Sequence, residues 1–222
     1  MILTCKGFLF DLDGTLVDSL SIVEFCWKKF SNRIGIAEKD VLKYIHGKPA
    51  ITSIRHFMPN ADETDIKEIF SWLENMEKKN MSDIVAMPGA ISLLEKLNKF
   101  SIPWSIVTSA TMSIAVNRIK AAGLPEPLHW VTVEKVKKGK PYPDPFLLGA
   151  KLLGLPANFC IAFEDAEAGI YSALDAGCKV IALNTQLDIS RKSEISMIIK
   201  SFTELNIIKS DNQCIIRINN DL

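Results

Sequence analysis

The chain has 222 residues, 48% of them hydrophobic and 23% charged, with Lys+Arg and Asp+Glu both at 26 and a formal net charge of zero. This length suffices for a well-buried core and a smaller second unit, and the balanced charge argues against nucleic acid as a steady partner. No apolar run approaches the roughly 20 residues of a membrane helix, and the first acidic residues come too early for a signal peptide. The five cysteines, four of them in apolar segments, read as reduced thiols, so the expected setting is cytoplasmic, without a membrane partner.

The first predicted element is a buried strand that runs through Phe8-Leu9-Phe10 and gives out at Asp11-Leu12-Asp13-Gly14-Thr15. In an extended chain a two-residue step puts Asp11 and Asp13 on one side, and Gly14 permits a sharp exit. Two facing anions call for a cation between them, most simply Mg²⁺, which takes a few carboxylates plus substrate phosphate. A plain Asp-x-Asp-Gly surface turn is the competing reading of the motif taken alone.

Leu16, Leu20, Val23, Trp27 and Phe30 then recur at steps of three and four, predicting an amphipathic helix over 16–31 with Asp18 and Ser19 suited to its N-terminus. The pattern stays helical, through Val41, Ile45, Ile54, Ile66, Ile69 and Leu73, to about Ile84. Some 65 helical residues are too long for an ordinary connection, so residues 17–84 are expected to be an all-helical cap inserted into a core of 1–16 and 85–222.

From Pro88-Gly89 onward strands alternate with helices: helix 90–99, strand Trp104–Thr108, helix 112–122, strand Trp130–Val133, helix Asp144–Leu153, strand Phe159–Phe163, helix 167–176 and strand Lys179–Leu183. Such alternation implies βαβ units, hence an α/β fold with a parallel Rossmann-like sheet of at least five strands flanked by helices. Residues 195–208 are expected to close the domain, and Cys214–Ile218 to form an edge strand.

Ligands of open α/β sheets bind at the C-terminal strand ends, and here those ends are all chemically useful. Thr108-Ser109-Ala110 offers a hydroxyl and backbone N–H groups for phosphate oxygens, although helix capping is the simpler use of Ser and Thr. Lys140 lies between Gly139 and Pro141, which fix its backbone, and before a helix that Asp144 is expected to cap, whereas Lys137 and Lys138 read as a solvated run. Glu164-Asp165 ends a buried strand in two acids, which demands a compensating cation. This constellation suits a phosphate monoester. Asp11 is the expected nucleophile and Asp13 the general acid, then base. Thr108, the Ser109 amide and Lys140 neutralise the equatorial oxygens, and the metal bridges Asp11, the Asp13 carbonyl and Asp165, with Glu164 as an additional or outer ligand.

With these residues in order, the chain resembles the haloacid-dehalogenase-like hydrolases over residues 6 to about 184. Within them, the acid at position 13 resembles phosphatases and phosphomutases rather than dehalogenases. His46-Gly47-Lys48-Pro49-Ala50, Arg55-His56-Phe57-Met58 and Ala121-Ala122-Gly123-Leu124-Pro125 are similar to small-sugar and polyol phosphatases of the 2-deoxyglucose-6-phosphate and glycerol-3-phosphate phosphatase kind. That similarity implies that His46, Gly47 and Lys48 enter the crevice and touch sugar hydroxyls or phosphate; a polar interhelical loop is the bland alternative, and Glu24 a weaker candidate. Ala110, where many relatives have Gly, and Tyr142 depart slightly from the pattern. The expected activity is a Mg²⁺-dependent phosphatase of a small phosphorylated sugar or polyol, acting as a monomer or weak homo-oligomer. A β-phosphoglucomutase-like enzyme and a non-catalytic phosphosugar binder are the alternatives.

Overall fold

The structure, a computed structural model, describes residues 2–183, 189–210 and 213–218. In chain order the elements are β1 (Ile2–Cys5), β2 (Gly7–Phe10), β3 (Val17–Asp18), α1 (Leu20–Ile34), α2 (Glu38–Ile45), α3 (Ala50–Phe57), α4 (Glu63–Lys79) and β4 (Val85–Ala86). They continue with α5 (Ala90–Lys99), β5 (Trp104–Val107), α6 (Met112–Ala121), β6 (His129–Val131), α7 (Asp144–Leu152), β7 (Cys160–Glu164), α8 (Glu167–Asp175), β8 (Lys179–Ala182), β9 (Met197–Ile198), β10 (Leu205–Ser210) and β11 (Gln213–Ile218).

The main sheet has the order β6-β5-β2-β7-β8-β9, and every pairing is parallel. The chain leaves β2 toward β5 and β6, then returns to its other side at β7. The strand order therefore reverses at β2, where ligands of such sheets bind. Parallel strands covered on both faces must be apolar throughout, and β2, β5 and β7 are buried at every residue. Alternation sends Phe8, Phe10 and Phe163 to one face and Leu9, Val107 and Ala162 to the other. Phe10 stacks on Phe163 with centroids 4.8 Å apart and planes 14° from parallel. The first face packs on α5 and α6, the second on α7 and α8.

Helices α1–α4 carry no strand between them, as the periodicity requires. Their apolar faces, including Ile22, Trp27, Phe30 and Leu73, join the same hydrophobic cluster as Phe8 and Phe10. Both crossings between this helical unit and the sheet lie side by side, because β3 pairs antiparallel with β4, Val17 opposite Ala86.

Several boundaries differ from the sequence reading. The expected helix over 16–31 starts only at Leu20, since Val17–Asp18 is extended, and Ser19 at its N-cap position makes no capping bond. Val133–Lys135 is a 3-10 turn rather than the end of a strand, and Phe159 ends another before β7 begins. Pro143, not Asp144, occupies the N-cap of α7, with Asp144 in the first turn. The expected edge strand Cys214–Ile218 is instead central in a three-stranded antiparallel sheet, β1-β11-β10, with Cys5 opposite Cys214. The 195–208 segment supplies β9, a sixth parallel strand, as well as β10.

Candidate active site

Asp11 follows the last residue of β2, where the apolar run ends against a crevice. Its Oδ1 accepts from Lys140 Nζ at 2.6 Å, and the same ammonium donates to Glu164 Oε1 at 2.5 Å. All three are buried, Lys140 to 2% exposure and Glu164 to 0%. Glu164 is the final residue of β7, and its Oε2 also accepts from the Asp165 and Ala166 N–H groups. Gly169 makes room for it: a Cβ there would lie 1.8 Å from Glu164 Oε1. Glu164 is thus largely committed to Lys140 and the backbone, whereas Asp165 receives, among the described residues, only a long hydrogen bond, 3.3 Å, from Thr15 Oγ1.

Burial pushes the Asp11 carboxyl up, opposed by Lys140. Burial and the Asp11 charge raise Glu164 to about 8, and burial with Asp11 and Glu164 holds Asp165 well above the usual carboxylate range. For Lys140 burial favours the neutral amine, but Asp11 and Glu164 outweigh it and hold the ammonium charged.

Ligand oxygens of Asp11, Glu164 and Asp165 lie within 4.8 Å of one another. Ionised together, three carboxylates around one ammonium would carry an excess of two negative charges in a buried place, and an all-oxygen donor set of that charge fits a divalent hard cation. Gly14, in the left-handed region at φ 80°, keeps the turn beside it open; a Cβ there would sit 2.2 Å from Asp165 Oδ2.

Asp13 faces a different set of groups. Its Oδ1 accepts from Ser19 Oγ at 2.5 Å, and its Oδ2 pairs with Arg118 Nη1. Arg118, on α6 and 3% exposed, also donates through Nη2 to Glu77 Oε2 of α4 at 2.7 Å. The two aspartates expected to share one cation therefore each have their own. Burial, with Asp13 and Glu74 nearby, pushes the Glu77 carboxyl up against the pull of Arg118. Sequence reasoning missed Arg118, Glu77 and Ser19. The one signal for the first was its place on the apolar face of α6, in step with Ile114 and Ala115 and away from the exposed Asn117 and Lys120.

Thr108, 4% exposed, follows the last residue of β5, and its Oγ1 accepts from the Ala110 N–H at 3.1 Å. Neither it nor Ser109 caps α6, because Thr111 does so, accepting from the Ile114 N–H at 3.3 Å. Ser109 Oγ instead donates to the Gly47 carbonyl at 2.9 Å, tying the loop between α2 and α3 to the sheet edge. A second tie explains Gly139, where a Cβ would come within 2.5 Å of Pro49 Cγ. Of the predicted loop residues, His46 Nε2 stands 3.9 Å from Glu24 Oε1, Gly47 lies against Ala166, and Lys48 Nζ sits 3.4 Å over the Tyr44 ring centroid. Burial holds both the His46 and the Lys48 side chains below their ordinary pKa values, opposed by Glu24 and Glu167 respectively. Lys137 and Lys138 are exposed, as expected of a solvated run.

A cavity of about 130 Å³ lies between the helical unit and the sheet edge. It is lined by Asp11, Asp13, Thr108, Ser109 and Asp165 on the sheet side, by Glu74 and Glu77 of α4, and by His46, Gly47 and Lys48. Apolar walls, among them Val23, Trp27, Phe70 and Ile114, complete it. Of the residues singled out in the sequence, Asp11, Asp13, His46, Gly47, Lys48, Thr108, Ser109 and Asp165 thus meet around one cavity, whereas Lys140 and Glu164 are not part of its lining and reach it through Asp11 and Asp165.

Comparison with known proteins gives the same assignment. The sequence profile of the haloacid dehalogenase-like hydrolases matches residues 8–183. The chain is 52% identical over 208 residues to hexitol phosphatase A of Escherichia coli (strain K12), covering 94% of this chain and 96% of that protein. It is 30% identical to glycerol-1-phosphate phosphohydrolase 2 of Saccharomyces cerevisiae, over 92% and 86% of the two chains. Among solved structures, a HAD hydrolase of family IA, variant 3, from Entamoeba histolytica superposes with a TM-score of 0.78 at 30% identity, covering 90% of this chain and 95% of that one. With its profile matched over most of its length and its acidic strand ends gathered at the reversal point of a parallel sheet, the chain belongs to the haloacid dehalogenase-like hydrolase family.

Proposed function

We propose that this protein is a Mg²⁺-dependent phosphatase of small phosphorylated sugars or polyols that works through an aspartyl phosphate on Asp11. The observation that carries the reading is the buried cluster at the reversal point, where Asp11 is held 2.6 Å from Lys140 beside the under-satisfied Asp165. Its similarity to hexitol phosphatase A supplies the substrate class.

In this reading an Asp11 carboxylate oxygen attacks phosphorus, the bond from phosphorus to the sugar oxygen breaks, and Asp13 gives its proton to the departing alkoxide. Water then attacks the acyl phosphate, Asp13 takes the proton of that water, and phosphate leaves Asp11 as a free carboxylate. Thr108 Oγ1, the Ser109 amide and Lys140 stabilise the transferring oxygens, and Glu164 orients Lys140. Mg²⁺, held by Asp11, the Asp13 carbonyl and Asp165, would neutralise the phosphoryl charge next to these carboxylates. Residues 17–84 act as the cap, and the His46–Lys48 loop, tied down by Ser109, excludes water while chemistry proceeds. A cytoplasmic enzyme fits five cysteines that are all free and buried.

The test is release of inorganic phosphate from a panel of hexose, deoxyhexose, pentose and polyol phosphates with Mg²⁺, with Asp11→Asn in parallel. Turnover of polyol or hexose phosphates that vanishes in the variant supports the reading. Formation of glucose 6-phosphate from β-glucose 1-phosphate, in place of free phosphate, would instead make the protein a mutase.

A further inference from the structure

Next to Asp13, which Arg118 links to Glu77, α4 and α6 meet in a polar seam. Thr111 Oγ1 donates to Glu74 Oε1 at 2.5 Å, and one turn along α4 Glu77 pairs with Arg118. Arg118 is almost fully buried, yet its Nε–H has no partner among the described residues. Glu77 Oε1 likewise makes no hydrogen bond among the described residues, since Arg118 takes only Oε2. Arg118 Nε is closed off from solvent, so the spare group that the seam keeps for the cavity is the acceptor Glu77 Oε1.

A hydroxyl group can donate and accept at once, whereas a carboxylate or a second phosphoryl group can only accept. An anion would also find no free positive charge there among the described residues. The guanidinium of Arg118 already serves two carboxylates, Asp13 and Glu77, and Lys78 serves Glu74 at 3.0 Å. Lys48 is turned onto Tyr44, and desolvation disfavours the charged form of His46. With Asp13 holding the proton it gives to the leaving oxygen, Glu77 and Arg118 form a balanced pair, and Glu77 Oε1 is the acceptor oxygen that a second anion would meet between poorly screening apolar walls.

We infer that Glu77, set by Arg118, reads neutral hydroxyl groups on the part of the substrate that faces α4 and rejects substrates carrying a second anion there. Glu77 is thus a specificity-determining residue, and the substrate class is a monophosphate with an uncharged, polyhydroxylated remainder. This inference rests on the phosphatase reading above and narrows it.

The experiment compares kcat/KM for a hexitol 6-phosphate with that for the aldonic acid 6-phosphate of the same carbon skeleton, in wild type, Glu77→Gln and Glu77→Asp. Wild type should favour the hexitol phosphate by well over tenfold, and Glu77→Gln, which still accepts from Arg118, should cut that ratio about tenfold, chiefly by lowering KM for the acid. Glu77→Asp keeps the charge and should keep most of the discrimination. Equal use of both compounds by wild type, or parallel changes in both with Glu77→Gln, would overturn the inference. If neither is hydrolysed although p-nitrophenyl phosphate is, the sugar and polyol reading fails by itself. The charge filter is then scored by inhibition of p-nitrophenyl phosphate turnover: weaker inhibition by the acid than by the hexitol phosphate supports it, and equal inhibition overturns it. Should Glu77→Gln not fold, inhibition of wild type by a hexitol 1,6-bisphosphate decides, because inhibition as strong as that by the monophosphate contradicts the inference.

Discussion

Replacing Lys140 with Met removes the one ammonium between two buried carboxylates. Lys140 Nζ stands 2.6 Å from Asp11 and 2.5 Å from Glu164, and Glu164 has no exposed surface through which water could compensate. Breaking a buried pair by deleting one partner costs about 3–5 kcal/mol. For a chain of this size each kcal/mol lowers Tm by roughly 2–4 °C, so the expected fall is roughly 6–20 °C in the absence of metal. The deficit should depend on pH. Glu164 has a folded pKa raised from 4.5 to about 8, so its protonated form favours folding; that contribution is complete below about 4.5 and is lost as pH rises through about 8. Without Lys140 the folded value rises further, and the Tm deficit at about pH 6 should be clearly smaller than at about pH 8.5. Adding Glu164→Gln to Lys140→Met removes the second charge and should recover part of the stability, though no activity, in a double-mutant cycle followed by thermal denaturation. An unchanged Tm for Lys140→Met at both pH values, or a double variant no more stable than the single, would refute the claim that Lys140 neutralises this cluster.

Gly169→Ala places a Cβ 1.8 Å from Glu164 Oε1, so it should destabilise the protein by about 1–3 kcal/mol in denaturant titrations and slow phosphate release, although Ala is the better helix former. Mg²⁺ should raise Tm with concentration as a ligand of the native state does, and Asp165→Asn should largely abolish that rise. Gly139→Ala pushes on Pro49, 2.5 Å from the added Cβ, and should raise KM more than it lowers kcat by loosening the loop between α2 and α3.

The sheet and most of the site were legible because their signals are local. Buried strands such as Cys160–Glu164 are apolar runs up to their last residue, and an acid or lysine where such a run stops has few structural reasons to be there. The parts that escaped depend on distant contacts. Nothing near Arg118 in sequence shows that it bridges Asp13 and Glu77, which lie 105 and 41 residues away. Ser19 looked like a helix cap because Ser usually is one, but a carboxylate six residues earlier competes for its hydroxyl. The C-terminal hairpin was underestimated because its partner is β1, at the other end of the chain, so what read as an edge strand became a central one. The role of Gly139 was likewise read locally, as backbone restriction, whereas the space it leaves is filled by Pro49.

The central claim is that Asp11 itself carries the phosphoryl group. Acid-quenching the enzyme during turnover of a polyol phosphate with Mg²⁺, followed by peptide mass spectrometry, tests it directly. The account requires one phosphoryl group on the peptide containing Asp11, sensitive to hydroxylamine, and none in Asp11→Asn, which should also release no phosphate. Phosphate release by Asp11→Asn at the wild-type rate would contradict it.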